Sequence, residues 1–228
     1  MEWLRSAGRL SPVAASGSLV DVIDEFAKRY LHNDLRVARE TVVWKLDGLS
    51  EYDVRRPLTV TGTNLLGLVK HLATWEARYL GEVFDRPFPE PLQRWQDSDG
   101  SDLWATEHET REEIIAFYRR VWEHADATID ALAVDAPGHV PWWAPQPEVK
   151  LFNILVHLLT ETQRHAGHAD ILREQLDGAT GSSAEYAREA DVAARPARYA
   201  QIEQAAKAAA ATATGAGVAT AATAVAAG

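Results

Sequence analysis

Four polar residues of one short stretch, His157, Glu161, His165 and His168, recur at steps of four, four and three. At about 100° per helical residue they fall within roughly 80° of one another, so a helix carries them as one stripe on an otherwise apolar face. Imidazole nitrogens and carboxylate oxygens are ligands for a divalent ion of the zinc type, and Glu161 and His165, one turn apart, can hold the same ion. A third ligand must come from elsewhere, and His71 in H-L-A-T-W-E (His71–Glu76) is the best candidate. A three-ligand set leaves one position open for water or substrate. Two His and one carboxylate also make up the donor set of non-haem iron sites, so the residue types alone do not choose the metal. The plainer alternative is a polar seam in which these groups only bond one another.

Other residues are weighed against the same two alternatives. His157 and His168 lie on the stripe and are candidates for proton transfer, or for histidines that merely help the helix pack. Trp142 and Trp143, flanked by Pro141 and Pro145, either line a substrate pocket or cap the core. Trp75 and Trp122 read as core, and Glu76, Arg78 and Glu82 as a solvated face. Asp170 and Arg173, three apart, read as a pair on or between helices. His32, His108, His124 and His139 stand in polar or loop contexts and are expected to face solvent.

Composition narrows the function class. The 228 residues carry a formal net charge of -10, and no basic stripe interleaved with aromatics offsets it, which argues against nucleic acid or an anionic membrane as the partner. There is no cysteine. A disulfide framework, a thiolate metal site and a cysteine nucleophile are therefore excluded, and any thiol chemistry must use a thiol supplied by a substrate. Residues 1–20 do not read as a signal peptide, and the Ala-rich end is too weakly hydrophobic for a membrane span. The expected location is the cytoplasm.

The elements that must position these groups are helical. Leu19–Tyr30 and Asp34–Leu49 read as two helices, the second with Val37, Val42, Val43, Leu46 and Leu49 on one face. Thr61 or Thr63 is the expected cap of the next helix, which runs to about Phe84 and carries His71. Pro87, Pro89 and Pro91 enforce a loop that continues through Asp97–Gly100. A further helix starts at Thr110, where T-R-E-E resembles a capping box, and ends near Leu132. Pro137–Pro147 reads as an aromatic loop, and Lys150 to about Leu176 as the helix bearing the ligand stripe, stopped by Asp177 and Gly178. No strand pattern of consequence is present. The expected fold is all-α, a four-helix bundle with a long crossover connection spanning 18–181. Residues 1–17 are expected to be a flexible N-terminus, and 182–228 an extension ending in a low-complexity Ala-rich tail, with transient helix near Ala205–Ala211.

The pairing of H-L-A-T-W-E (His71–Glu76) with E-T-Q-R-H-A-G-H-A-D-I-L-R-E (Glu161–Glu174) resembles the DinB superfamily over approximately residues 35–178. The resemblance is to an actinobacterial branch filed as a domain of unknown function. It implies a four-helix bundle holding a metal through one residue of the second helix and two, at i and i+4, of the last. Those positions are His71, Glu161 and His165. Many relatives carry His where this chain has Glu161, and the Glu variant resembles mycothiol-dependent maleylpyruvate isomerase and its kin. What the resemblance implies is a metal-dependent thiol S-transferase of mycothiol type, joining a small thiol to an electrophile. Zinc is the expected ion, with iron or nickel as alternatives, and a homodimer is left as an option. The rival functions are a metal- or ligand-binding protein without turnover and a hydrolase that uses metal-bound water.

Overall fold

The computed structural model describes residues 19–92, 100–189 and 192–225. The N-terminal segment 1–17, expected to be flexible, and most of the Asp97–Gly100 loop lie outside them.

The first helix, α1, spans Leu19–Trp44 without interruption, where the sequence suggested two helices. Leu31, His32 and Asn33 contain no breaker, and the buried series Leu35, Ala38, Val42 keeps helical spacing beyond them. His32 was expected in solvent, yet it is only 8 % exposed. Its Nε2 sits 2.7 Å from Asp126 Oδ1, a partner too distant in sequence to be inferred. A short helix, α2 (Glu51–Arg55), leads to α3 (Leu65–Tyr79). The cap of α3 is Asn64, not Thr61 or Thr63: its Oδ1 accepts from Gly67 N at 2.7 Å. Asn ranks with Ser and Asp as a cap, and it directly precedes the apolar run.

α3 ends at Tyr79, and residues 80–110 form the long connection to α4 (Arg111–Ala131). The Thr110 capping box is present, with Thr110 Oγ1 accepting from Glu113 N and Glu113 Oε2 accepting from Thr110 N. Between α4 and α5 (Leu151–Asp177), the expected plain loop contains a hairpin of two three-residue strands, β1 (Pro137–His139) and β2 (Glu148–Lys150). They pair antiparallel with Gly138 opposite Val149. Strands this short have no alternation to read in sequence. Gly178, with φ +76°, closes α5 as a left-handed C-terminal stop.

The four long helices make the bundle, with α1 packed on α5 and α3 on both α4 and α5. The fold is all-α apart from the small hairpin. One core region gathers Val42, Leu66, Val69, Tyr118 and Val121; the other gathers Leu35, Leu80, Ile129, Ile154 and Leu155.

Two expectations about surface charge fail here. Glu76 and Arg78 are 1 % and 4 % exposed, whereas Glu82 does face solvent. Glu76 is buried because Arg39, on α1, reaches it with Nε at 3.1 Å and Nη2 at 2.7 Å. Asp170 and Arg173 do not pair with each other. Asp170 meets the buried Lys45, and Arg173 binds Asp177 one turn further on.

The chain divides between Ser183 and Ala184 into two compact units. The second contains α6 (Ala184–Glu189) and α7 (Arg195–Val225). The long α7 replaces the transient helix expected near Ala205–Ala211, because Ala has the highest helix propensity and no Pro follows Pro196. Among the described residues no helix is long and apolar enough to cross a membrane.

Candidate metal centre

His71 lies in the middle of α3, and Glu161 and His165 lie one turn apart on α5. The packing of α3 on α5 brings one ligand atom of each within 4.8 Å of the others. Glu161 Oε1 is 2.9 Å from His165 Nε2 and 3.8 Å from His71 Nε2. Ligand atoms about 2.1 Å from a tetrahedral ion stand roughly 3.4 Å apart, so these spacings bracket what an ion needs. The donor set of two imidazole nitrogens and one carboxylate oxygen fits a divalent metal.

The remaining nitrogens of both rings are engaged in ways that aim Nε2 inward. His71 Nδ1 lies 2.6 Å from Asp102 Oδ2, and a carboxylate oxygen accepts, so Nδ1 donates there and Nε2 is the nitrogen left to face the centre. Asp102, in the turn Ser101–Leu103, also accepts from Trp75 Nε1 at 3.0 Å. Such a carboxylate behind a histidine fixes its tautomer and raises its basicity as a ligand. His165 Nδ1 lies 3.3 Å from His168 Nδ1, which gives the second ring a polar backing.

The protonation states suit ligation. Burial pushes His165 down, and the neighbouring His71 adds to this, so the imidazole is neutral at pH 7. Burial would raise Glu161, but the His165 ring that bonds it and the Arg164 guanidinium nearby hold its carboxyl below the ordinary value.

A cavity of about 220 Å³ adjoins the centre, lined by His71, Glu161, Trp75, Tyr79, Trp142 and His157 among others. Trp142 and Trp143 both donate through Nε1 to Tyr79 Oη at 3.1 Å. Trp142 lines the cavity, and Trp143 packs edge-on against His157 with ring centres 4.8 Å apart. The two tryptophans therefore serve pocket and core together. Trp75 is a pocket wall as well as core, while Trp122 packs against the core on α4. Burial lowers His157, keeping it neutral. His157 and His168 separate: the first faces the aromatic cavity, the second stands behind His165.

The other histidines stay away from the centre. His108 and His139 are exposed, as expected, and His139 bonds Glu148. His124 is half-buried, edge-on to Phe88. Sequence reasoning missed Asp102 and Tyr79. Asp102 is one carboxylate in a long irregular connection, with no spacing that ties it to His71. Tyr79 sits eight residues after His71 on α3, a helical spacing that does point to the same face.

No curated protein matches the chain. A family described as Mycothiol-S-transferase matches residues 30–178, which take in the bundle from Tyr30, within α1, to the end of α5 and all three convergent side chains. The match gives no support to a homodimer. The chain belongs to the mycothiol S-transferase family.

Proposed function

We propose that the protein is a metal-dependent thiol S-transferase that joins mycothiol to a small electrophile in the cytoplasm. The observation that carries this reading is the convergence of His71 Nε2, Glu161 and His165 Nε2 beside an aromatic cavity. His71, Glu161 and His165 would hold the ion, zinc being the best fit to a set of two imidazole nitrogens and one carboxylate that must also accept sulfur. A divalent ion held there would supply one thing, a lowering of the thiol pKa from about 8.5 towards neutrality.

The chain's own residues do the rest. With no cysteine, the protein contributes no sulfur nucleophile. Asp102 holds His71 in the ligating tautomer. Trp75, Tyr79 and Trp142 exclude water and present apolar surface to the electrophile, and Trp143 supports Tyr79 and His157 from behind. His157, neutral and lining the same cavity, accepts the thiol proton on an imidazole nitrogen. The sulfur then forms its bond to the electrophilic carbon, and either a leaving group departs or the proton returns to the adduct. His168 acts on His165 and only through it on the reaction.

The test is conjugation kinetics on the full chain with mycothiol and a generic electrophile. Turnover should require both metal and thiol. Trp142→Ala should raise KM for the electrophile with metal content unchanged, and His157→Ala should lower kcat. Full-rate turnover without thiol would replace the reading with metal-dependent hydrolysis.

A further inference from the structure

Tyr79 stands in the wall of the aromatic cavity, and its hydroxyl oxygen is shared by two neighbours. Trp142 and Trp143 both donate to it through Nε1, each at 3.1 Å. An indole nitrogen can only donate, so chemistry fixes the direction of both bonds. The two indoles occupy the accepting positions of the phenol oxygen. What the hydroxyl still has to give is its hydrogen, and among the described residues no acceptor pairs with that hydrogen. A buried donor left unpaired is costly, and a cavity wall is where such a group awaits a ligand.

The oxygen is held in place before any ligand arrives. Tyr79 is 6 % exposed, and its ring packs on those of Trp142, Trp143 and His157 at centre distances of 5.4, 5.7 and 4.7 Å. Both indoles reach it from the connection before α5, and the charge of Glu161, in the same cavity lining, also acts on the phenol. Burial pushes the phenol up, and the two indole bonds, which favour the phenolate, oppose this without cancelling it. The proton therefore stays on the oxygen at neutral pH. The same two donors steady the negative charge left behind when the proton is given away.

We propose that Tyr79 is a catalytic residue whose O–H bonds the oxygen of an electrophile on which negative charge develops, as in an epoxide or an α,β-unsaturated carbonyl. The proposal rests on the transferase reading and adds the class of electrophile and the group that protonates it. For an epoxide, the thiol sulfur forms its bond to a ring carbon, and the carbon–oxygen bond breaks with its electron pair on oxygen. That oxygen takes the Tyr79 proton. The proton that His157 accepted from the thiol passes to the Tyr79 oxygen, so thiol and epoxide give a hydroxy thioether and both side chains are restored.

Two measurements on the metal-loaded full chain test this. The first reads binding without turnover, using acetophenone and α-methylstyrene, which share a shape but differ in carrying a carbonyl oxygen or a methylene. Wild-type protein should favour acetophenone, and the preference should fall about five-fold in Tyr79→Phe, the worth of one hydrogen bond. The second reads conjugation of styrene oxide against benzyl iodide, whose departing iodide takes no proton. The epoxide-to-iodide ratio of kcat should fall about 100-fold in Tyr79→Phe, the usual effect of removing a donor to a developing oxyanion. Phenylalanine leaves two indole N–H groups without an acceptor, so 3-fluorotyrosine at position 79 replaces it if that variant does not fold. This stronger acid of similar shape should raise the ratio instead. An unmoved acetophenone preference, or an epoxide-to-iodide ratio unmoved by the substitution, would overturn the proposal. The two readings fail separately. A Tyr79-dependent preference for acetophenone with no turnover of either electrophile would remove the transferase reading and leave Tyr79 as the donor to a bound oxygen. Turnover of both electrophiles with the same ratio in wild type and Tyr79→Phe would do the reverse.

Discussion

Two clusters of ionisable side chains lie on opposite sides of α3, and they differ in whether their partners are complete. Around Glu76, every charge is answered within the protein. Arg39 spans Glu76 and Asp126, and Asp126 also receives Arg36 and His32. Around His71, five residues earlier, three ligand atoms point at a common space and two of them are held there by a second residue. Charge and burial alone do not separate the two. The first is a closed network that locks α1, α3 and α4 together; the second is open on one side, into cavities. Openness, not polarity, marks the site.

The largest expected effect is on the closed network. Glu76→Ala strands a buried guanidinium and should cost about 3–5 kcal/mol in urea unfolding. His165→Ala, measured without metal, should cost about 1 kcal/mol, the worth of an ordinary hydrogen bond. Similar losses for the two variants would erase the distinction between them.

The open cluster should instead respond in metal affinity. Asp102→Asn keeps the shape but weakens the fixing of the His71 tautomer, and should reduce metal affinity about 10–100-fold in a competitive chelator titration. Glu76→Gln, on the same helix, should leave affinity unchanged if the protein remains folded.

The smallest effect is in acid. Burial would raise the Asp126 carboxyl, but hydrogen bonds from His32, Arg39 and Arg36 hold it far below the ordinary range. Its folded value lies below its unfolded one, so its contribution is complete above about pH 3.9 and is lost as pH falls through the folded value. Wild-type stability should therefore drop more steeply below about pH 4 than that of Asp126→Asn. Parallel acid limbs would show that Asp126 is not held as described.

The helices and the pairing of Glu161 with His165 were legible because both follow local rules, whereas His71, far from them in sequence, was tied to them by the resemblance of its motif. The four-residue step from Glu161 to His165 fixes their shared face, and Thr110 and Gly178 mark helix ends through their own side chain or backbone. What was not legible depends on contacts across the chain. Glu76 looks solvated until Arg39, 37 residues away, is packed beside it. Asp102 has no periodic relation to His71, 31 residues earlier, and His32 meets Asp126 across 94 residues. The hairpin escaped because three-residue strands are set by the ends they join rather than by any pattern of their own.

The central claim is that the His71–Glu161–His165 cluster is the metal centre. Elemental analysis of the purified full chain and its single variants tests it most directly. The wild type should carry about one divalent ion per chain. His71→Ala, Glu161→Ala and His165→Ala should each lose most of it, since two ligands make a poor site, while His108→Ala keeps it. Undiminished metal in a folded His165→Ala, or equal loss in His108→Ala, would contradict the account.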